Sequence, residues 1–553
     1  MADRDSDPDP STRTSSLIGD TRPTDLATPA EAGTRSQRRP WSRRRLFGIG
    51  AVGLGLAAAA VAVPRALNAP RPVSPTGAAV AAAEAARRRS GATVTRTLRA
   101  APTTVDLGGR QVRTWAYDGA VPAPPIRVSA GDELRVSLAN DLPDPTTVHW
   151  HGLALRNDMD GVPGLTMAAV APGKAFDYTF TVPHPGTYWF HPHVGVQLDT
   201  GLYAPLIVDD PAEPGRYDEE AVLVLDDWTD GWAASPTAIL DAARRNGMGG
   251  MGDTKGAGGM AGMGGMGGTA STSGMAGMGM ATPGQPLGSD TGDVAYPAHL
   301  INGRLPSDPI TITSRPGRRI RLRVINAAAD TPYRFAVGGH ELTVTHTDGL
   351  PVQPVVVDTL LIGMGERYDV VLTTGDGVFP VVAVAEGKDD PAGLAVLHTG
   401  PGATPAAGTR PVELTGRLLD YTQLRATPDV QLGPVTPDRT VQMSLTMADG
   451  GRQWLINGRS YADHEPLEVA SGERVRVVLS NQSMMFHPMH VHGHTFALSR
   501  PDGTGPRKDT VNVVPMRELA IDLHADNPGQ WLVHCHNAYH GELGMMSTLS
   551  YQR

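Results

Sequence analysis

One pattern occurs three times in this chain: a turn dipeptide, then a glycine, an alternating apolar/polar stretch, and an asparagine nine residues after the glycine. The copies are Asp118-Gly119 with Gly131-Asp-Glu-Leu-Arg-Val-Ser-Leu-Ala-Asn140, Asn302-Gly303 with Gly317-Arg-Arg-Ile-Arg-Leu-Arg-Val-Ile-Asn326, and Asn457-Gly458 with Gly472-Glu-Arg-Val-Arg-Val-Val-Leu-Ser-Asn481. Period-two alternation marks a half-buried strand, and turn residues bound each one. Copies 155 to 186 residues apart are too distant for a short-repeat solenoid and predict three homologous β-domains, over residues 95–215, 216–405 and 406–553. Runs such as Val222–Leu225 and Tyr368–Leu372 suit β-sandwiches, as does a chain in which Gly (65) and Pro (47) are so abundant. A short helix is expected near Pro236–Arg245. The expected fold class is all-β, and a tandem of adhesive β-sandwiches is the plain alternative.

Residues 1–66 read differently. The first 40 are polar, without apolar periodicity, and are expected to be disordered. Ser42-Arg43-Arg44-Arg45-Leu46-Phe47 then precedes a Gly/Ala-rich apolar run from Gly48 to Val63. Charge, apolar stretch and small residues are the layout of an export signal, and paired arginines resemble the twin-arginine type. A single membrane anchor is the alternative, which the Gly and Ala content disfavours. Cleavage after Ala62 or Ala66 would leave a protein exported to the periplasm, the cell envelope or the medium, with the twin-arginine machinery as partner. The segment to Arg65 carries ten Lys/Arg against seven Asp/Glu, so the body is more acidic than the formal −9 of the whole chain. That charge argues against nucleic acid as a partner.

The histidines decide between adhesion and chemistry. Five H-x-H pairs occur, at 149/151, 191/193, 490/492, 492/494 and 534/536, where chance placement of 18 histidines would give roughly 0.6. Residues i and i+2 of a strand share a face, so each pair offers two imidazoles to one metal. Two pairs belong to the first domain and the rest to the third, so they converge only if those domains pack together. A metal bound there would hold the two domains in place. His299, His340 and His346 of the middle domain are isolated and read as structural or surface residues, as do His184, His398, His464 and His524.

The single cysteine excludes a disulfide framework, a cysteine zinc site and an iron–sulfur cluster. It lies in His534-Cys535-His536, where a strand would point the thiol away from both neighbours. His540 follows five residues after Cys535 and Met545 ten after, and His487 opens His487-Pro-Met-His490-Val-His492. Two His, one Cys and a weak axial Met form the blue-copper electron-transfer set. The peptide from Cys535 to its flanking histidines is then a short covalent path for electrons.

From about residue 95 onward the chain resembles the multicopper oxidases. The resemblance rests on His149-Trp-His151-Gly, His191-Pro-His193, His487-Pro-Met-His490-Val-His492-Gly and His534-Cys-His536-Asn-Ala-Tyr-His540-Gly-Glu-Leu-Gly-Met545, in that order. It implies three cupredoxin-like Greek-key sandwiches and four copper ions. Type 1 copper would take His487, Cys535, His540 and Met545. Type 2 would take His149 and His490, and the type 3 pair His151, His191, His193, His492, His534 and His536. The family pattern has no role for His494, which reads as structural. The implied reaction oxidises a substrate one electron at a time and reduces O2 to water with four. Protons must reach the cluster. The family's acid after the first motif matches Asp160, which reads equally as a turn residue in Asn157–Gly161. The family often carries Glu directly after the second type 1 histidine. Gly541 stands there, with Glu542 one residue further on.

Methionines hint at the substrate. Eight of 20 lie between Met248 and Met280, within a Gly/Ala/Ser/Thr-rich insert over 247–281 that should form a mobile loop. Thioethers favour Cu(I), although a neutral low-complexity insert would have the same composition. A similar Met-rich insert occurs in copper-resistance oxidases. Met484 and Met485 precede His487. Met485 matches a substrate-copper Met of the enterobacterial copper efflux oxidase, while Ser483 replaces its Asp. The pair reads equally as packing around type 1 copper. The expected activity is a cuprous oxidase in copper tolerance, with O2 and Cu(I) as partners. The alternatives are a laccase-like oxidase of phenols or aromatic amines and a non-enzymatic copper-sequestering protein.

Overall fold

Each copy of the recurring motif organises one pair of sheets. In the computed structural model of this chain, residues 71–553 are described except 211, 214–216, 249–283 and 435. The disordered start, the export signal and all of the Met-rich insert beyond Met248 therefore lie outside the described residues. The first domain has two four-stranded sheets, and the second and third each have a six-stranded and a five-stranded sheet. These are three cupredoxin-like domains, built from strands within residues 93–209, 219–398 and 439–551.

In the first domain, the strands that matter for the site are β1 (Glu133–Asn140), β2 (His149–His151) and β3 (Gly186–His191). The second contributes β4 (Arg319–Asn326), β5 (Tyr333–Val337) and β6 (Arg367–Thr373). The third contributes β7 (Arg474–Asn481), β8 (His487–Val491), β9 (Thr510–Val513) and β10 (Gln530–Cys535). The recurring strands β1, β4 and β7 each pair in parallel with the first long strand of their own domain, namely Thr93–Asp106, Glu219–Trp228 and Arg439–Ala448. Their alternation becomes burial: along β7, alternate residues are fully buried. The expected helix is present as α1 (Pro236–Asn246), capped by the Ser235 hydroxyl, which accepts from the Ala238 amide.

The structure gives a reason for both fixed ends of the motif. Each turn dipeptide has two successive positive φ angles, as tight hairpin turns require (Asp118 51°, Gly119 74°; Asn302 50°, Gly303 70°; Asn457 53°, Gly458 70°). The first side chain of each accepts a backbone N–H from a neighbouring strand: Arg99, Val224 and Ser444 respectively. The terminal asparagines are buried staples. Asn140 donates to the carbonyls of Asp144 and Val170 and accepts from Leu142. Asn326 does the same with Thr331, Ile362 and Ala328, and Asn481 with Met485, Val513 and Ser483. Asn140 and Asn481 thereby fix the loops leading into β2 and β8, the strands that begin with His149 and His487.

Met248 departs from the sequence reading. Its side chain is fully buried in the core and its amide donates to Gly451, so it belongs to the scaffold and not to a mobile loop. Among the described residues, no helix is long and apolar enough to cross a membrane.

Candidate metal centre

Strand pairing brings the H-x-H pairs together. His149 of β2 lies opposite His191 of β3, and His490 of β8 opposite His534 of β10. Trp150, between two histidines of β2, points into the core with no exposure, so both imidazoles share the other face. The first and third domains meet here. The rings of His149 and His492 stack at 3.7 Å, and those of His151 and His490 at 3.8 Å. His193 and His534 approach to 5.0 Å, and His191 and His536 to 5.3 Å. The eight histidines of the sequence reading thus form one cluster across the seam, from which three mutually close ligand triads can be drawn: 149/490/492, 149/151/191 and 193/492/534.

Several rings have an anchored side. His149 Nδ1 lies 2.9 Å from the Asp160 carbonyl, His191 Nδ1 3.0 Å from the Pro192 carbonyl, and His490 Nδ1 2.9 Å from the Asp509 carbonyl. Their Nε2 atoms are buried and have no hydrogen-bond partner, nor has Nε2 of His193 or either nitrogen of His536. His151 is reversed: its Nε2 is taken by Asp509 and Thr510, and its Nδ1 is unpartnered. Burial, followed by the electrostatic influence of neighbouring histidines, holds His193, His492 and His536 well below the usual imidazolium range, so they stay neutral. Neutral, anchored imidazoles converging with unsatisfied lone pairs are what copper would satisfy.

About Cys535 the arrangement differs. Its Sγ lies 3.7 Å from Nδ1 of His487 and 3.7 Å from Nδ1 of His540, all fully buried. His540 sits on α2 (Ala538–Glu542), whose first turn is capped by Asn537. Asn537 also donates to Asp330 of the middle domain at 2.6 Å. Met545 is fully buried, and its backbone bonds to both Cys535 and His540. The outer nitrogens are also occupied: His487 Nε2 meets the Ser483 hydroxyl at 2.8 Å, and His540 Nε2 meets Asp293 at 2.9 Å. Trp454 stacks on His540 at 3.9 Å. Burial pushes the Cys535 thiol up, so a cation is needed to hold it as thiolate. A soft thiolate with two imidazoles and a thioether suits copper.

The remaining sequence-predicted residues divide. Asp160 is fully buried, with one carboxylate oxygen 3.0 Å from His492 Nδ1 and the other 3.2 Å from His149 Nδ1. Glu542 is partly buried and lines a cleft with His193, His534 and His536; burial raises its carboxyl and Arg244 partly offsets this. Met485 packs in the core, whereas Met484 is 43% exposed. His494 bonds the His492 carbonyl and the Tyr551 hydroxyl, a structural role.

Sequence reasoning missed Asp509, Arg367, Asp290 and Asp293. Burial pushes the Asp509 carboxyl up, but Arg367 and the imidazoles outweigh this and hold it well below the usual carboxylate range. Asp290 and Asp293 follow the Met-rich insert, and Asp290 pairs with Met485 through a backbone bridge. The only signal in the sequence was their spacing just after that insert.

Three family models described as multicopper oxidase match residues 99–213, 219–402 and 434–552. Multicopper oxidase MmcO of Mycobacterium tuberculosis is 46% identical over 524 residues, covering 94% of this chain and 99% of that protein. A copper resistance protein A homolog of Pseudomonas syringae pv. tomato is 28% identical, with 80% of this chain and 90% of that one covered. The solved laccase of Botrytis aclada superposes with a TM-score of 0.66 at 26% identity, covering 84% of this chain and 88% of its own. The chain belongs to the multicopper oxidase family, oxidoreductases that carry type 1, type 2 and type 3 copper and use O2 as acceptor.

Proposed function

We propose that this oxidase takes its electrons from Cu(I). When bound, the four coppers supply one-electron entry and four-electron reduction of O2. In this reading type 1 copper is held by His487, Cys535, His540 and Met545, type 2 by His149 and His490, and the type 3 pair by His151, His191, His193, His492, His534 and His536. Asp160 moves protons at the cluster, and Glu542 supplies them from the cleft it lines with His193, His534 and His536. The observation that carries the substrate is the placement of the insert's described ends. Met248 is tied to Gly451, and Asp290 to Met485. Both anchors belong to the third domain. Asp290 and Asp293 replace the carboxylate lacking at Ser483, with Met484 exposed nearby. The Asp290 and Asp293 carboxylates, with the exposed Met484 thioether, would form a harbour for Cu(I) and leave a Cu(II) product, which suits copper tolerance. The Ser42–Phe47 segment supports export through the twin-arginine machinery.

The test is oxygen uptake by the copper-loaded protein with Cu(I) and a simple methoxyphenol supplied separately, with and without residues 249–283. The deletion starts beyond Met248 because that residue is part of the core. Fast uptake with Cu(I), slowed by the deletion, is expected. Fast phenol turnover with little response to Cu(I) would make the protein a laccase.

A second expectation concerns Gly365, with φ at +84°. A Cβ there would lie 2.9 Å from His536 Cδ2 and 3.0 Å from His151 Cε1. Gly365→Ala should displace both rings and leave a blue protein short of trinuclear copper, measured as metal content per chain.

A further inference from the structure

The middle domain supplies none of the twelve proposed ligands, yet one of its turns reaches the trinuclear cluster. The segment ends at Arg367, which is fully buried. Its two terminal nitrogens each bond one oxygen of Asp509 at 2.7 Å. Its Nε donates to the Thr187 carbonyl at 3.1 Å and Nη1 to its own turn at Gly365. Its amide is held by Asp348 at 2.9 Å, and the second oxygen of Asp348 accepts the amides of Asp509 and Thr510. Lys508, equally buried, bridges Asp348 and Glu366 at 3.0 Å each. Arg367 therefore touches all three domains.

Asp509 faces the cluster with its other side. Its Oδ1 lies 3.1 Å from His151 Nε2, of the first domain, and 3.5 Å from His490 Nδ1, of the third. The neighbouring Thr510 hydroxyl lies 3.2 and 3.1 Å from the same two nitrogens and donates to Asp509 Oδ1. A neutral imidazole has one N–H, and the nitrogen that donates it cannot bind metal. The Asp509 carboxylate at His151 Nε2 thus leaves Nδ1 as the lone pair, and the Asp509 backbone carbonyl at His490 Nδ1 leaves Nε2. The Arg–carboxylate fork fixes the plane of the acceptor, which a point charge would not do. The space is tight enough that a Cβ at Gly152, next to His151, would collide with Arg367 and lie 2.6 Å from Asp509 Oδ2.

We propose that Arg367 is a positioning residue of the trinuclear centre: by gripping both oxygens of Asp509 it selects the metal-facing nitrogen of His151, while the Asp509 carbonyl fixes that of His490, so the domain without ligands sets the copper affinity of the cluster. The proposal rests on the reading of His151 and His490 as copper ligands.

The test uses the full copper-loaded chain and its Arg367→Lys, Arg367→Met and Asp509→Asn variants. Each is titrated with a copper chelator, and the type 2 signal is followed by electron paramagnetic resonance. The blue band of the remote Cys535 site serves as the measure of folding. Arg367→Met is expected to weaken trinuclear copper retention roughly ten- to a hundredfold and to change the type 2 signal, with the blue band intact. Arg367→Lys, which keeps the charge without the fork, should fall between it and the wild type. Asp509→Asn must turn an N–H2 toward Arg367 or His151, both donors, and should behave like Arg367→Met. Wild-type retention and an unchanged type 2 signal in the folded variants would overturn the proposal. So would nitrogen NMR of the metal-free wild type showing the His151 proton on Nδ1, a reading that needs no variant to fold. A wild-type chain unable to hold trinuclear copper would instead overturn the ligand reading itself.

Discussion

Cys535→Ser should give a folded, colourless protein with no oxidase turnover and three coppers per chain in place of four. The side chain is 1% exposed, and serine fits the same space, so the strand pairing of Cys535 with Met489 should survive. What disappears is the soft, polarisable donor between His487 and His540, which a hydroxyl does not replace. The covalent path from that donor through the peptide to His534 and His536 is cut at its first atom. Absorbance in the visible range, metal content and oxygen uptake on one preparation are sufficient. Surviving turnover in a colourless variant would sink the mechanism.

Asp160→Asn should act at the other end of the electron path, keeping the blue colour and lowering oxygen turnover by about 10²- to 10⁴-fold, the range expected for loss of a positioned acid or base. Among the described residues, Asp160 and Asp509 both lie at ion-pair distance from imidazoles of the cluster, and they differ in their company. Asp509 is neutralised by Arg367. Asp160 has only imidazoles at ion-pair distance among the described residues. Its Oδ1 makes no hydrogen bond, because His149 Nδ1 turns to the Asp160 backbone carbonyl instead. That leaves a buried carboxylate oxygen 3.2 Å from an imidazole of the cluster with an unused lone pair. Asp160→Glu, which keeps the charge, should recover part of the rate. If Asp160→Asn turned over oxygen at the wild-type rate, only the turn role would remain.

What could be read in the sequence was local in character. The H-x-H pairs declare their shared face because strand periodicity is set within three residues. The three strands with their asparagines declared a triplicated unit for the same reason. Asp160 was visible only through resemblance, since a buried acid and a turn acid look alike in Asn157–Gly161. The carboxylate Asp293 meets His540 across 247 residues, and Arg367 meets Asp509 across 142. No period or spacing encodes such pairs, because folding alone brings them together. Met248 was misread for the opposite reason: composition groups it with the seven methionines that follow, whereas its side chain is buried in the core and its amide donates to Gly451.

The staple asparagines also separate architecture from chemistry. Asn326 holds the Ile362 carbonyl opposite Tyr333, just as Asn481 holds the Val513 carbonyl opposite His487. Tyr333 therefore occupies, in the middle copy, the position of His487, a proposed copper ligand, in the third. There the tyrosine hydroxyl lies 2.8 Å from His299 Nδ1. The frame of all three copies is held by the same asparagine bonds, whatever side chain stands at the start of the strand beside them.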